Sequence, residues 1–151
     1  MTAAAVATIA AAVFAFKPFL PGKLVLSNGD TGEVYAAYKV KEGDYFSVSF
    51  IHSVNKSQVK ESYEIKKDGI YLQDCLYSDF GAGVATEIED GQKLSYTDDG
   101  KMLISGFDRK IEHLSYIVGT VSDHVLEING EEISLRELCG RNSVVHFDYK
   151  K

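Results

Sequence analysis

Tyr45-Phe46-Ser47-Val48-Ser49-Phe50-Ile51-His52-Ser53-Val54 and, after four intervening residues, Val59-Lys60-Glu61-Ser62-Tyr63-Glu64-Ile65-Lys66-Lys67 read as the two arms of a β-hairpin. Side chains alternate between faces along a strand, so every second residue shares a side. On the first arm Phe46, Val48, Phe50, His52 and Val54 fall together; on the second, Val59, Glu61, Tyr63, Ile65 and Lys67 do. Closing the hairpin over Asn55-Lys56-Ser57-Gln58 predicts the pairs Val54–Val59, His52–Glu61, Phe50–Tyr63 and Val48–Ile65. A slip of one residue would turn one apolar set to the wrong face, which argues for a well-specified register. An imidazole and a carboxylate on an apolar face must be satisfied by something. The pairing predicts that His52 and Glu61 satisfy each other.

Outward from this hairpin the chain is strands and tight turns. Asn28-Gly29, Asp68-Gly69, Asp90-Gly91, Asp99-Gly100 and Asn129-Gly130 are dipeptides that supply positive φ at hairpin corners. Short alternating runs lie between them: Val34-Ala36-Tyr38-Val40, Ile70-Leu72-Leu76, Leu94-Tyr96, Met102-Ile104, Leu126-Ile128 and Val145-Phe147-Tyr149. The expected fold is all-β, an antiparallel β-sandwich or barrel built from hairpins. The Asp68-Gly69 turn extends the first hairpin into a meander, with Ile65 opposite Leu72 and Glu61 opposite Leu76. One short helix is expected near the C-terminus, where Ser134 and Glu137 form a capping box and Gly140 suits the C-terminal cap. No repeat or low-complexity linker divides residues 23–151, which read as a single β domain.

Residues 2–16, TAAAVATIAAAVFAF, carry no charge, and the pattern breaks at Lys17-Pro18. This reads as a leader over residues 1–20, either a signal peptide or a membrane anchor. Both place the β domain outside the cytoplasm. The competing reading is an N-terminal helix docked on a soluble protein. The net charge of −6 argues against nucleic acid, because phosphate binding needs a concentrated basic surface. Cys75 and Cys139 show no metal-type spacing. They pair in an oxidising compartment or stand as two small apolar side chains in a reducing one.

Several residues carry chemistry. A carboxylate across from His52 would fix its tautomer and hold it for proton transfer or ligation, or the pair would be purely structural. His124 shares a face with Leu126 and Ile128, so a second histidine also looks inward. Two histidines and a glutamate make a zinc shell conceivable, but no local signature enforces their convergence, and the reading carries no metal or other cofactor. Ser53 follows His52, yet alternation points it to the other face and out of reach as a nucleophile. Phe80-Gly81-Ala82-Gly83 ends the meander at the end holding His52 and Glu61. Gly81 and Gly83 there offer backbone amides or a tight connection. His146 alternates with Val145 and Phe147 and is expected to face water.

At these residues the chain resembles the domain of unknown function 1850 family, small bacterial and archaeal proteins often encoded beside TRAP transporters of the TAXI type. The likeness runs over about residues 24–147. It rests on Asp30-Thr31-Gly32-Glu33, Phe50-Ile51-His52-Ser53-Val54, Glu61, Phe80-Gly81-Ala82-Gly83, Val118-Gly119-Thr120 and His124. The resemblance implies an N-terminal membrane segment, an extracytoplasmic body and TRAP-TAXI transporter subunits as partners; it implies no reaction. The expectation is a binding or accessory domain whose small pocket holds a polar or anionic ligand through His52, Glu61, Gly81, Gly83 and His124. The alternatives are a hydrolytic enzyme using His52 and Glu61, with or without metal, and a purely structural partner of a membrane permease.

Overall fold

Eleven strands and one helix follow one another in the computed structural model, which describes residues 21–54, 56–78 and 88–151. The strands are β1 (Gly22–Asn28), β2 (Val34–Val40), β3 (Tyr45–Ile51), β4 (Gln58–Lys66), β5 (Gly69–Tyr77) and β6 (Lys93–Tyr96). After them come β7 (Met102–Ile111), β8 (Leu114–Ile117), β9 (His124–Ile128), β10 (Glu131–Ser134), helix α1 (Leu135–Cys139) and β11 (Val144–Lys150). They form a four-stranded sheet in the order β2-β1-β11-β8 and a seven-stranded sheet in the order β10-β9-β3-β4-β5-β7-β6. Every pairing is antiparallel. The all-β expectation holds, and the architecture is a two-sheet sandwich.

Alternation builds the core. Leu24 and Leu26 of β1, Val145 and Phe147 of β11, Phe46 and Val48 of β3, and Leu126 and Ile128 of β9 are buried together between the sheets. Phe46 stacks at 6.0 Å on Phe147 and at 5.1 Å on Tyr63, which ties the two layers at their middle. Each such side chain contributes roughly 1.5–3 kcal/mol by leaving water. Helix α1 closes one edge as its capping box indicates: the Glu137 amide donates to Ser134 Oγ at 3.0 Å, and Gly140 terminates it at φ 90°.

The central hairpin forms, but not in the expected register. Val48 faces Glu61, Phe50 faces Val59 and Phe46 faces Tyr63. The turn is closed two residues earlier, where the His52 amide donates to Ser57 O at 2.8 Å and the Lys56 amide to His52 O at 3.0 Å. Lys56 takes a left-handed φ of 56° to make that reversal. His52 therefore belongs to the loop, and Glu61 sits well inside β4. The His52–Glu61, Val54–Val59, Phe50–Tyr63 and Val48–Ile65 pairs do not form. The physical reason is parity: sliding one arm by four residues leaves every apolar side chain on the same face, so the hydrophobic pattern accepts both registers.

The meander departs from expectation in the same way. The β4–β5 reversal is centred on Lys67 and Asp68, so Ile65 faces Ile70 and Tyr63 faces Leu72. A bulge at Gln73 then inserts one residue, and Ser62 faces Asp74 while Glu61 faces Cys75. The insertion turns Cys75 to the core in place of Leu76. Both cysteines are free, Cys75 buried and Cys139 half-buried. The leader over residues 1–20 and the loop holding Gly81 and Gly83 lie outside the described residues. Among the described residues no helix is long and apolar enough to cross a membrane.

Candidate functional site

The site grows from the end of β3 and the start of β9, which are neighbours in the larger sheet. Phe50 faces His124 across that ladder, and the two rings stack with centroids 5.2 Å apart and planes 14° from parallel. Beyond Phe50 the chain leaves the sheet at Ile51 and enters the hairpin loop with His52. Before His124 the chain arrives from β8 through residues 118–123. The two loops face each other and enclose a cavity of about 310 Å³ lined by Ile51, His52, Ser53, Lys56, residues 119–122 and His124. His52 and His124, read separately from the sequence, thus border one space.

Backbone amides set the proton positions on both rings. The Gly119 amide donates to Nδ1 of His124 at 3.2 Å, and the Val54 amide donates to Nδ1 of His52 at 3.4 Å. A ring nitrogen that accepts carries no proton, so each neutral imidazole holds its hydrogen on Nε2. Burial pushes the His124 pKa below its usual 6.5; Asp123 opposes that shift and the Arg136 guanidinium adds to it. His124 is thus a neutral ring that donates through Nε2.

The loop that holds His124 is pinned from both sides. Asp123 accepts from the Arg136 amide at 3.0 Å and from the Ser134 hydroxyl, so it caps the start of α1. Arg136 Nη2 donates to Val121 O at 3.1 Å. On the other side the Val118 amide donates to Ser143 O and the Asn142 amide to Val118 O, each at 2.9 Å. Position 119 has no room for a side chain: a Cβ there would stand 2.1 Å from Ser122 O. Glycine is what lets the loop fold tightly enough to reach His124 Nδ1.

Glu61 lies elsewhere. Its carboxylate points between the sheets, where Tyr63 OH donates to it at 3.0 Å and Tyr116 OH also bonds it. The two phenols are themselves 2.6 Å apart. Burial raises the pKa of both tyrosines, with the Glu61 charge adding to the shift, so each stays a neutral donor. Across the β4–β5 ladder Cys75 is pushed up to about 12 by burial and by Glu61. Glu61 is linked to the cavity through one residue: the Tyr116 ring packs at 5.7 Å from His124 and 6.0 Å from Phe50.

The structure therefore brings His52 and His124 together and leaves Glu61 out of the cavity lining. Ser53 does border the cavity, contrary to the alternation argument, because it lies past the last residue of β3 and no longer obeys strand geometry. Among the described residues no three His, Cys, Asp or Glu side chains group as a metal site. His146 faces solvent as its alternation indicates. Sequence reading missed Lys56, Thr120 and Ser122 as lining residues, since loop proximity has no periodic signature. It also missed Tyr63 as the Glu61 partner, for which a signal existed: the two lie two positions apart on one strand face.

A different depression of about 270 Å³ lies on the solvent side of the larger sheet, over Ser47, Ser62 and Asp74. Its lysine is already neutralised, because Lys60 pairs with Glu127 at 2.5 Å. The cavity at the two histidines has the opposite character. Lys56, two imidazoles and the hydroxyls of Ser53, Thr120 and Ser122 line it, and no carboxylate does among the described residues.

Fold and cavity together define a two-sheet β domain with a histidine-bordered cavity at one end. Residues 46–135 match the family described as a domain of unknown function, DUF1850, and the chain belongs to that family. The matched span runs from the start of β3 into α1 and contains every described residue of the cavity. No curated protein and no solved structure matches the chain.

Proposed function

We propose that this is a binding domain and that the cavity between the hairpin loop and residues 119–124 holds a small anionic ligand. The observation that supports this is the lining: one lysine, two Nε2-protonated imidazoles and three hydroxyls converge, with no carboxylate among the described residues. A volume of about 310 Å³ suits a small molecule better than a polymer. His52 and His124 donate to the anion, Lys56 neutralises it, and Ile51 and Val121 cover its apolar part. Glu61 acts at one remove, by holding Tyr116 against His124. We further propose an extracytoplasmic accessory role beside a TRAP transporter of the TAXI type. The family resemblance and the uncharged residues 2–16 support that part.

Titration calorimetry with acetate, malonate and inorganic phosphate, with glycerol as the neutral control, tests the ligand class. Binding of an anion that weakens at least tenfold in His52→Ala and in Lys56→Gln, with cooperative melts retained, is the expected result. No anion binding, or binding indifferent to both changes, removes the proposal. Co-purification with the permease tests the accessory role separately. A second reading, a histidine-dependent hydrolytic enzyme, is favoured by one observation: Ser53 joins both histidines on the same cavity. Ester turnover lost in both Ser53→Ala and His52→Ala would establish it.

A further inference from the structure

Three lysines form a row across the outer face of the smaller sheet. Lys39 of β2 faces Lys23 of β1, and Lys23 faces Lys150 of β11. All three are exposed, and among the described residues none has a side-chain ion pair. Neighbouring strands run about 4.8 Å apart, so the backbones that carry the three lysines span only roughly 10 Å. Like charges placed directly opposite each other destabilise a sheet. In a chain of net charge −6, such a row is not a sample of the average surface. Asp148, two residues before Lys150, is exposed on the same strand face.

The basic character continues around the same end. One cleft there is lined by Pro21, Lys39, Val40, Lys41 and Asp44, and another by Lys67, Asp68, Tyr149 and Lys151. Of the two acids in these clefts, Asp68 pairs with Lys110 at 3.3 Å, and the Asp44 carboxylate, among the described residues, accepts only from the Lys41 backbone amide at 2.9 Å. This is also the end at which the chain arrives from its uncharged residues 2–16, since Pro21 directly precedes β1. The histidine cavity lies at the far end, beyond β8, whose Ile117 faces Val144 at the start of β11.

We propose that the Lys39–Lys23–Lys150 row, with Lys41, Lys67 and Lys151 beside it, docks this end of the sandwich on an anionic phospholipid surface. Headgroup phosphates would occupy the space between the ammonium groups and relieve their repulsion. The cavity would then face away from the bilayer, open to solutes. The inference does not depend on what the cavity binds. It shares with the proposed function only the membrane assignment of the residues before Pro21. Each lysine held near an anionic surface adds roughly fivefold to partitioning, and salt weakens the effect.

The test is partitioning of the full chain into phosphatidylcholine vesicles with and without phosphatidylglycerol, at low and high salt. A salt-sensitive preference for the anionic vesicles is expected. The triple variant Lys23→Gln, Lys39→Gln, Lys150→Gln should lose at least tenfold of it while melting cooperatively, at or above the parent temperature without lipid. The triple variant Lys93→Gln, Lys101→Gln, Arg141→Gln makes the same change of net charge elsewhere and should keep the preference. Equal partitioning into both vesicle types is what an apolar anchor alone gives, and it would overturn the lysine row while leaving the anchor. Binding to anionic vesicles only, lost in the first triple variant, would uphold the row and overturn the anchor. A first variant that behaves like the second overturns the proposal, as does lysine-dependent binding of polyglutamate with no vesicle preference, which would assign the row to an acidic protein.

Discussion

His124 and Phe50 face each other across the β3–β9 ladder with their rings stacked 5.2 Å apart, and that contact joins the apolar core to the polar cavity. One face of the imidazole is spent on Phe50, and its Nδ1 on the Gly119 amide. What remains for chemistry is Nε2. The site is thus a directed donor built on strand ends, with the loop of residues 118–123 wrapped around it.

The buried imidazole makes stability depend on pH with a definite sign. Burial holds the folded pKa of His124 below its usual 6.5, so on acidification the unfolded chain takes up this proton first. The stability tied to the neutral ring is full above about pH 6.5 and is lost as pH falls through the lower folded value. Chemical denaturation of the parent and of His124→Gln between roughly pH 7 and pH 5 should show a shallower decline in the variant. Parallel curves would assign the acid sensitivity to other groups.

Gly119→Ala is expected to cost about 1–3 kcal/mol, because a Cβ would meet Ser122 O at 2.1 Å and the loop must open. Opening also withdraws the amide from His124 Nδ1, so the imidazole resonances should change in the folded variant. A thermal melt together with the His124 nitrogen shifts checks both effects. Unchanged stability would show that the loop relaxes without cost.

Tyr116→Phe keeps the ring on Phe50 and His124 and removes only the hydroxyl that bonds Glu61. The expected loss is about 1–3 kcal/mol in urea unfolding, since a carboxylate between the sheets is left with one phenol donor. Tyr63→Phe in the same background should cost less than it does alone, because the two hydroxyls share one acceptor cluster. Strict additivity of the two changes would mean that the phenols act separately.

Cys75 should resist alkylation in the native protein. Burial and the facing Glu61 push its thiol up to about 12, which leaves almost no thiolate near neutral pH. Cys139, half-buried and pushed up to about 11, should react slowly and first. Iodoacetamide labelling followed by peptide mass analysis gives the order, and both thiols should react promptly in denaturant. Fast native labelling of Cys75 would show that the sandwich opens at β5.

The elements were legible because each carries a local signal. All five Asn-Gly and Asp-Gly dipeptides fall at strand connections, and Asn129 and Gly130 both take positive φ between β9 and β10. Ser134 and Gly140 bracket α1 as capping chemistry requires. His124 was legible as an inward residue because it continues the Leu126 and Ile128 face. The His52–Glu61 pairing was not, since it depended on where the hairpin turns. A loop reversal through a left-handed Lys56 has no strong sequence mark, whereas the glycine dipeptides do.

The sequence by itself determined the strands, the inward faces wherever no bulge intervenes, the turns at the glycine dipeptides and the capped helix, because each follows from backbone sterics and a period of two. Only the tertiary structure decided which residues meet. Strand registers that differ by an even number of residues bury the same side chains, and the bulge at Gln73 reassigns a face midway along β5. The choice between them falls to loop closure, inter-sheet packing and the bonds among Glu61, Tyr63 and Tyr116. That choice set Glu61 between the sheets and brought His52 to His124 across a cavity.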